Sequence, residues 1–121
     1  MSEMIYKDLI AEGVLEREGC GRAKVRIEYY TSIQSGKKVN HYYTLHLSGK
    51  GKLASFIRRH GINNLFTFYS DYLDGRFYGY IILSEKGLRW ALKKLEKWFR
   101  WIEKPDLDKS LFLLKLRLNG G

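Results

Sequence analysis

Two stretches of strict alternation constrain this chain more than any other feature. Residues 23–31 carry Val25, Ile27 and Tyr29 at one set of alternate positions and Lys24, Arg26, Glu28 and Tyr30 at the other. Residues 39–47 repeat the pattern, with Tyr43, Leu45 and Leu47 against Asn40, Tyr42, Thr44 and His46. Successive side chains of a strand point to opposite faces, so each stretch is a strand with one apolar and one polar face. Between them, Ser35-Gly36-Lys37-Lys38 has the composition of a turn. A hairpin of this kind has to bury its apolar face against another layer.

The rest of the chain supplies that layer. Residues 2–15 read as a helix, with Ser2 as its cap and Ile5, Leu9 and Ile10 along one side. Gly19 and Gly21 break it. Ser48 is expected to cap a short helix carrying Leu53, Phe56 and Ile57 that stops near His60-Gly61. Residues 65–70 and 76–83 read as a second pair of strands around a tight turn, Leu73-Asp74-Gly75. Ser84 starts a long helix in which Leu88, Ala91, Leu92, Leu95, Phe99 and Ile102 keep helical spacing, and Pro105 ends it. Residues 107–118 fit either a last helix or a strand. Leu47-Ser48 recurs as Leu83-Ser84, 36 residues later, so a hairpin-plus-helix unit occurs twice. The expectation is one α+β domain over residues 1–121, in the order α-β-β-α-β-β-α, with a four-stranded antiparallel sheet and all helices on one face.

The charge balance points to a polyanion. Lys plus Arg number 22 against 13 Asp plus Glu, a formal net charge of +9. A surplus of this size suits phosphate contacts, which release counterions. Cys20 is the single cysteine, which excludes an internal disulfide and fits a reducing compartment. No apolar run approaches the ~20 residues of a membrane span, and no secretory leader opens the chain. An intracellular protein with no membrane partner is expected. One proline among many Lys, Arg, Tyr and Ile residues would suit a thermophile.

The run Gly13-Val14-Leu15-Glu16-Arg17-Glu18-Gly19 then gains weight, because it would lie at the end of the first expected helix. Run, element order and charge together resemble the LAGLIDADG homing endonucleases over roughly residues 5–103. The resemblance implies a homodimer in which two motif helices meet on a two-fold axis, with Gly13 permitting the close approach and Leu9 beside it in the interface. It implies that Glu18 binds the divalent cation, Mg²⁺ or another such as Mn²⁺, and that Glu16 has a structural role. Lys50 and Lys86, just past the second and fourth strands, match the basic residues that help activate water. The implied activity is hydrolysis of both strands of a long, near-palindromic DNA site by an intron-encoded enzyme of an archaeal cytoplasm or an organelle.

The same resemblance lays the sheet in the major groove, and the alternation independently supplies outward-facing readers. These are Lys24, Arg26, Glu28 and Tyr30, then Asn40, Tyr42, Thr44 and His46. Thr67, Tyr69, Arg76, Tyr78 and Tyr80 would extend the set, while Lys37, Lys38, Arg58 and Arg59 suit phosphates or bare solvent. His41 and His46 fall on opposite faces and cannot share an ion. Two other readings stand beside the nuclease. One is a relative that binds nucleic acid without cutting it, such as a maturase holding intron RNA, or a regulator. The other is an unrelated RNA-binding α+β module in which Tyr30, Tyr42 and Tyr78 stack on bases.

Overall fold

The first described residues, from Glu3, enter a strand and not a helix, and the expected cap Ser2 lies outside the described residues. In the computed structural model, which describes residues 3–65, 67–71 and 75–120 (the backbone alone at 3, 4, 39, 63, 65, 67–71 and 120), the elements run in a clear order. They are β1 (Glu3–Arg17), β2 (Gly21–Gln34), β3 (Lys37–Lys50), α1 (Leu53–Arg59), a 3-10 turn (Ile62–Leu65), β4 (Thr67–Asp71), β5 (Arg76–Leu83), α2 (Glu85–Leu95), β6 (Arg100–Glu103) and α3 (Leu107–Gly120). The fold is α+β, with six strands in the order β4-β5-β3-β2-β1-β6 and every neighbouring pair antiparallel. No helix among the described residues is long and apolar enough to cross a membrane.

The expected helix over 2–15 is therefore corrected to β1, and the reason lies in one bulge. Leu9 pairs with Glu28 but Ala11 pairs with Ile27, so Ile10 is an extra residue in β1. An inserted residue flips the alternation on one side of it. The apolar positions 5, 9 and 10 then imitate a helical period although the backbone is extended. Pairing along almost its whole length also covers the β2 edge, which would otherwise stand open.

The last part of the chain departs from expectation in a similar way. Ser84 does cap α2, its hydroxyl accepting from the Gly87 N–H at 3.1 Å. The helix ends at Leu95, however, and residues 100–103 turn back as β6 against Val14, Leu15 and Glu16 of β1. Gly13 makes room for them. A Cβ on Gly13 would stand 2.7 Å from the Glu103 carbonyl oxygen and 2.7 Å from the Pro105 ring. Its missing side chain serves a contact within the chain, where the sequence suggested a contact between two helices of a dimer. Residues 107–118 belong to α3, whose first turn is capped by the Asp106 carboxylate accepting from the Lys109 N–H at 3.1 Å. Ser48 lies inside β3, and α1 starts after Lys52 without a side-chain cap. Residues 73 and 74 of the expected turn lie outside the described residues.

The helices cover one face of the sheet. Leu15, Val25, Ile27, Leu45 and Leu47 from the strands are fully buried with Leu53 and Ile57 of α1, Leu88 and Leu95 of α2, and Leu114 of α3. The β2 and β3 faces are those that the alternation gives: Val25 stands opposite Leu47, Ile27 opposite Leu45 and Tyr29 opposite Tyr43 on the packed side. Among the described residues the other face of the sheet carries no helix.

Candidate nucleic-acid interface

The register lines up the open face in rows across three or more strands. At one end Lys50 and Arg76 stand abreast, with Arg22 just past the last β2–β3 pair, and Lys24, Ser48 and Tyr78 form the next row. Arg26, His46 and Tyr80 follow, then Glu28, Thr44 and Ile82. Lys7, Tyr30 and Tyr42 form the row beyond. Among the described side chains of this face, the cations Lys7, Arg22, Lys24, Arg26, Lys37, Lys50, Arg76 and Arg100 outnumber the carboxylates of Glu12, Glu16, Glu28 and Glu103. The basic end holds a groove of about 680 Å³ lined by Val14, Ala23, Gly49 and Phe77 as well as by Arg22, Lys24, Ser48, Lys50 and Arg76.

Aromatic rings occupy the rest. Tyr30 and Tyr42 are stacked, with centroids 5.3 Å apart and planes 5° from parallel, and the Lys7 ammonium lies 5.9 Å from the Tyr30 ring. His46 is tilted against both Tyr78 and Tyr80, at 5.7 and 6.3 Å. Tyr78 keeps 39% of its surface exposed.

At the centre is a polar network that the sequence did not reveal. Glu28 is only 3% exposed. Its Oε1 lies 2.8 Å from His46 Nε2, and its Oε2 lies 3.2 Å from the Lys7 ammonium in an ion pair without hydrogen-bond alignment. Thr44 Oγ1 is 2.9 Å from the same imidazole nitrogen, and the Tyr78 hydroxyl contacts His46 Nδ1. Glu28, His46 and Tyr78 are diagonal neighbours on β2, β3 and β5, the spacing at which long side chains meet across a sheet. A carboxylate at Nε2 holds the imidazole proton there and leaves Nδ1 to accept from the phenol. Burial lowers the His46 pKa, with Glu28 pulling against it and Arg26 adding to it. Burial raises that of Tyr78, helped by the Glu28 charge. The Lys7 pKa rises because the Glu28 carboxylate stands beside its ammonium.

The sequence-derived site is thereby sorted. Lys24, Arg26, Glu28, Tyr30, Asn40, Tyr42, Thr44, His46, Arg76, Tyr78 and Tyr80 all belong to open-face positions. Glu28 and Thr44 are buried within the network and cannot reach out to base edges. Thr67 and Tyr69 pair through their backbones with Tyr80 and Tyr78, and their side chains lie outside the described ones. Leu9 is 40% exposed on the open face of β1. His41 stands opposite Thr31 and faces away from His46.

Glu18 is exposed in the turn between β1 and β2, with Gly19 at φ 79°, because the motif-like run is a strand end and not a helix end. Glu16 pairs with Arg22 at 3.1 Å and Arg100 at 3.3 Å. Lys50 ends β3 beside the β1–β2 turn: a Cβ on Gly21 would lie 3.8 Å from its carbonyl oxygen. Lys86 follows Leu83, which pairs with Tyr43, seven residues from Lys50 along β3. That is ~24 Å of strand, so the two lysines do not converge. Among the described residues no group of three or more His, Cys, Asp or Glu side chains is placed to share an ion.

No family model, curated protein or solved structure matches this chain.

Proposed function

We propose that the protein binds single-stranded nucleic acid across the open face of its sheet, bases on the tyrosines and phosphates on the basic end. The observation that carries this reading is the stacked Tyr30–Tyr42 pair with Lys7 beside it, on a sheet face that no helix among the described residues covers. Sequence-tolerant binding of single strands combines such rings with a cationic track. Duplex readout would need free donors and acceptors at the centre of the face, where Glu28, Thr44 and His46 are instead bonded to one another. The groove beside Arg22, Lys24 and Lys50 suits the backbone of the same strand.

Fluorescence anisotropy with labelled random-sequence single strands, and with the same pool as duplex, tests the reading. Single strands bind more tightly, and Tyr30→Ala or Tyr42→Ala each weakens them by ~1–3 kcal/mol. Tighter binding of duplex, or indifference to both tyrosines, refutes it.

A further inference from the structure

We propose that Tyr78 is a nucleophile toward the phosphodiester of a bound strand, with His46 as its general base and Glu28 as the residue that positions His46. This rests on the binding reading above and adds chemistry to it. Three observations carry the inference. The phenol hydroxyl contacts His46 Nδ1, and the opposite ring nitrogen lies 2.8 Å from a buried carboxylate. A hydroxyl, an imidazole and an orienting carboxylate in series are the parts of an activated nucleophile. Tyr78 is also at the surface, 39% exposed on the face that carries the cations, whereas Glu28 and most of His46 lie beneath. Finally, Lys24 shares a row with Tyr78 two strands away, and Arg26 pairs directly with His46 on the neighbouring strand. Two strand spacings are about 10 Å, within the combined reach of a long cation and a phosphate group.

The step balances without a co-reactant. The Tyr78 O–H gives its proton to His46 Nδ1 as Oη bonds to phosphorus. The bond from phosphorus to one sugar oxygen breaks, and that oxygen takes the proton back from the imidazolium. The products are a tyrosyl phosphodiester and a free hydroxyl end, and the reverse step rejoins the strand. Burial, which keeps His46 neutral further into the acid range, leaves Nδ1 free to accept. The charged and titratable groups facing the imidazole, among the described residues, are Lys7, Arg26, Glu28, Tyr78 and Tyr80.

The full chain is incubated with two random-sequence single-stranded pools, one labelled at the 5′ end and one at the 3′ end. Denaturing electrophoresis then reads covalent adduct, and anisotropy on the same samples reads binding. The expected result is an adduct from one pool only, located on Tyr78 by peptide mass spectrometry and abolished in Tyr78→Phe among strands that anisotropy shows bound. His46→Ala slows it at least ~100-fold, the scale of one lost acid–base group. In wild type the rate rises with pH through the His46 titration, and Glu28→Gln moves that limb to lower pH because a charge that raises the imidazole pKa is gone. A purely packing role for Glu28 would leave the limb in place. Because Glu28 is buried, the adduct site in wild type stands as evidence even where that variant does not fold. Bound strands without adduct, or an adduct that survives Tyr78→Phe, overturn this inference and leave the binding reading intact. No binding at all overturns both.

Discussion

Gly13→Ala separates the strand from the helix by the sign of its effect. Were Gly13 inside an exposed helix, alanine would stabilise by about 1 kcal/mol. In β1 the new methyl would meet the Glu103 carbonyl oxygen and the Pro105 ring at 2.7 Å, and the Trp101 ring at 3.0 Å. Two of those neighbours are backbone or ring atoms that cannot rotate away, so β6 has to shift. Overpacking of this kind costs ~1–3 kcal/mol, and the loss of glycine's unfolded-state freedom returns ~0.5–1 kcal/mol. The net loss centres near 1 kcal/mol by those two figures. Urea denaturation followed by circular dichroism measures it, as a lower midpoint at unchanged slope. A higher midpoint in the alanine variant would refute the packing argument and restore the helical reading of residues 2–15.

Acid unfolding should reveal the central imidazole. The folded His46 pKa lies below its ordinary value, so the unfolded chain takes up this proton first, and the stability contributed is lost as pH falls below ~6.5 towards the folded pKa. His46→Gln removes that part of the acid limb in urea midpoints measured from pH 8 to 5, and an unchanged limb would contradict the burial. Glu18→Gln is expected to leave binding of single strands unaltered in anisotropy, since Glu18 is exposed in a turn beyond the ends of β1 and β2. If instead wild type cuts duplex DNA with Mg²⁺ and Glu18→Gln does not, the homing-endonuclease resemblance reflects function.

Which parts were legible follows from where the chain keeps or breaks its period. The two faces of β2 and β3 could be read directly because the alternation is strict on both. Even their register was implicit. Ser35 and Gly36, at φ 53° and 77°, make a two-residue turn, which would pair Gln34 with Lys37 and, continued without a shift, would set Val25 against His46. That would mix an apolar and a polar face, so an extra residue had to enter one strand. It does so between Ser32 and Ile33 in the ladder, where Asn40 and Lys38 are successive partners, and every apolar pair then falls together. β1 was illegible for the same reason: its bulge is not announced by any turn residue. β6 was hidden in the end of an amphipathic helix, where Phe99 and Ile102 happen to continue the spacing of Leu92 and Leu95. The open-face site followed from outward positions alone. The link among Glu28, His46 and Tyr78 needed β5 to lie beside β3, and no local pattern gives that pairing.

Glu28 poses the remaining energetic question, because a carboxylate 3% exposed in a face otherwise bare of helices is costly to keep. Burying an ion costs several kcal/mol, and a network of partners repays it only with good geometry. Here His46 is well placed at 2.8 Å, but Lys7 at 3.2 Å lacks alignment, Arg26 stands off at 3.8 Å, and their side chains are 55% and 51% exposed, where solvent screens them. The repayment is therefore incomplete. Replacing the series by apolar groups of similar size, as Glu28→Leu with His46→Phe and Tyr78→Phe, is expected to be neutral or to stabilise by up to ~1–4 kcal/mol in urea denaturation. A loss of 2 kcal/mol or more, on the scale of disrupting a buried polar network, would mark the network as part of what holds the sheet together. A network that holds the sheet accounts for itself, whereas one that weakens it has to be accounted for by what its exposed phenol does.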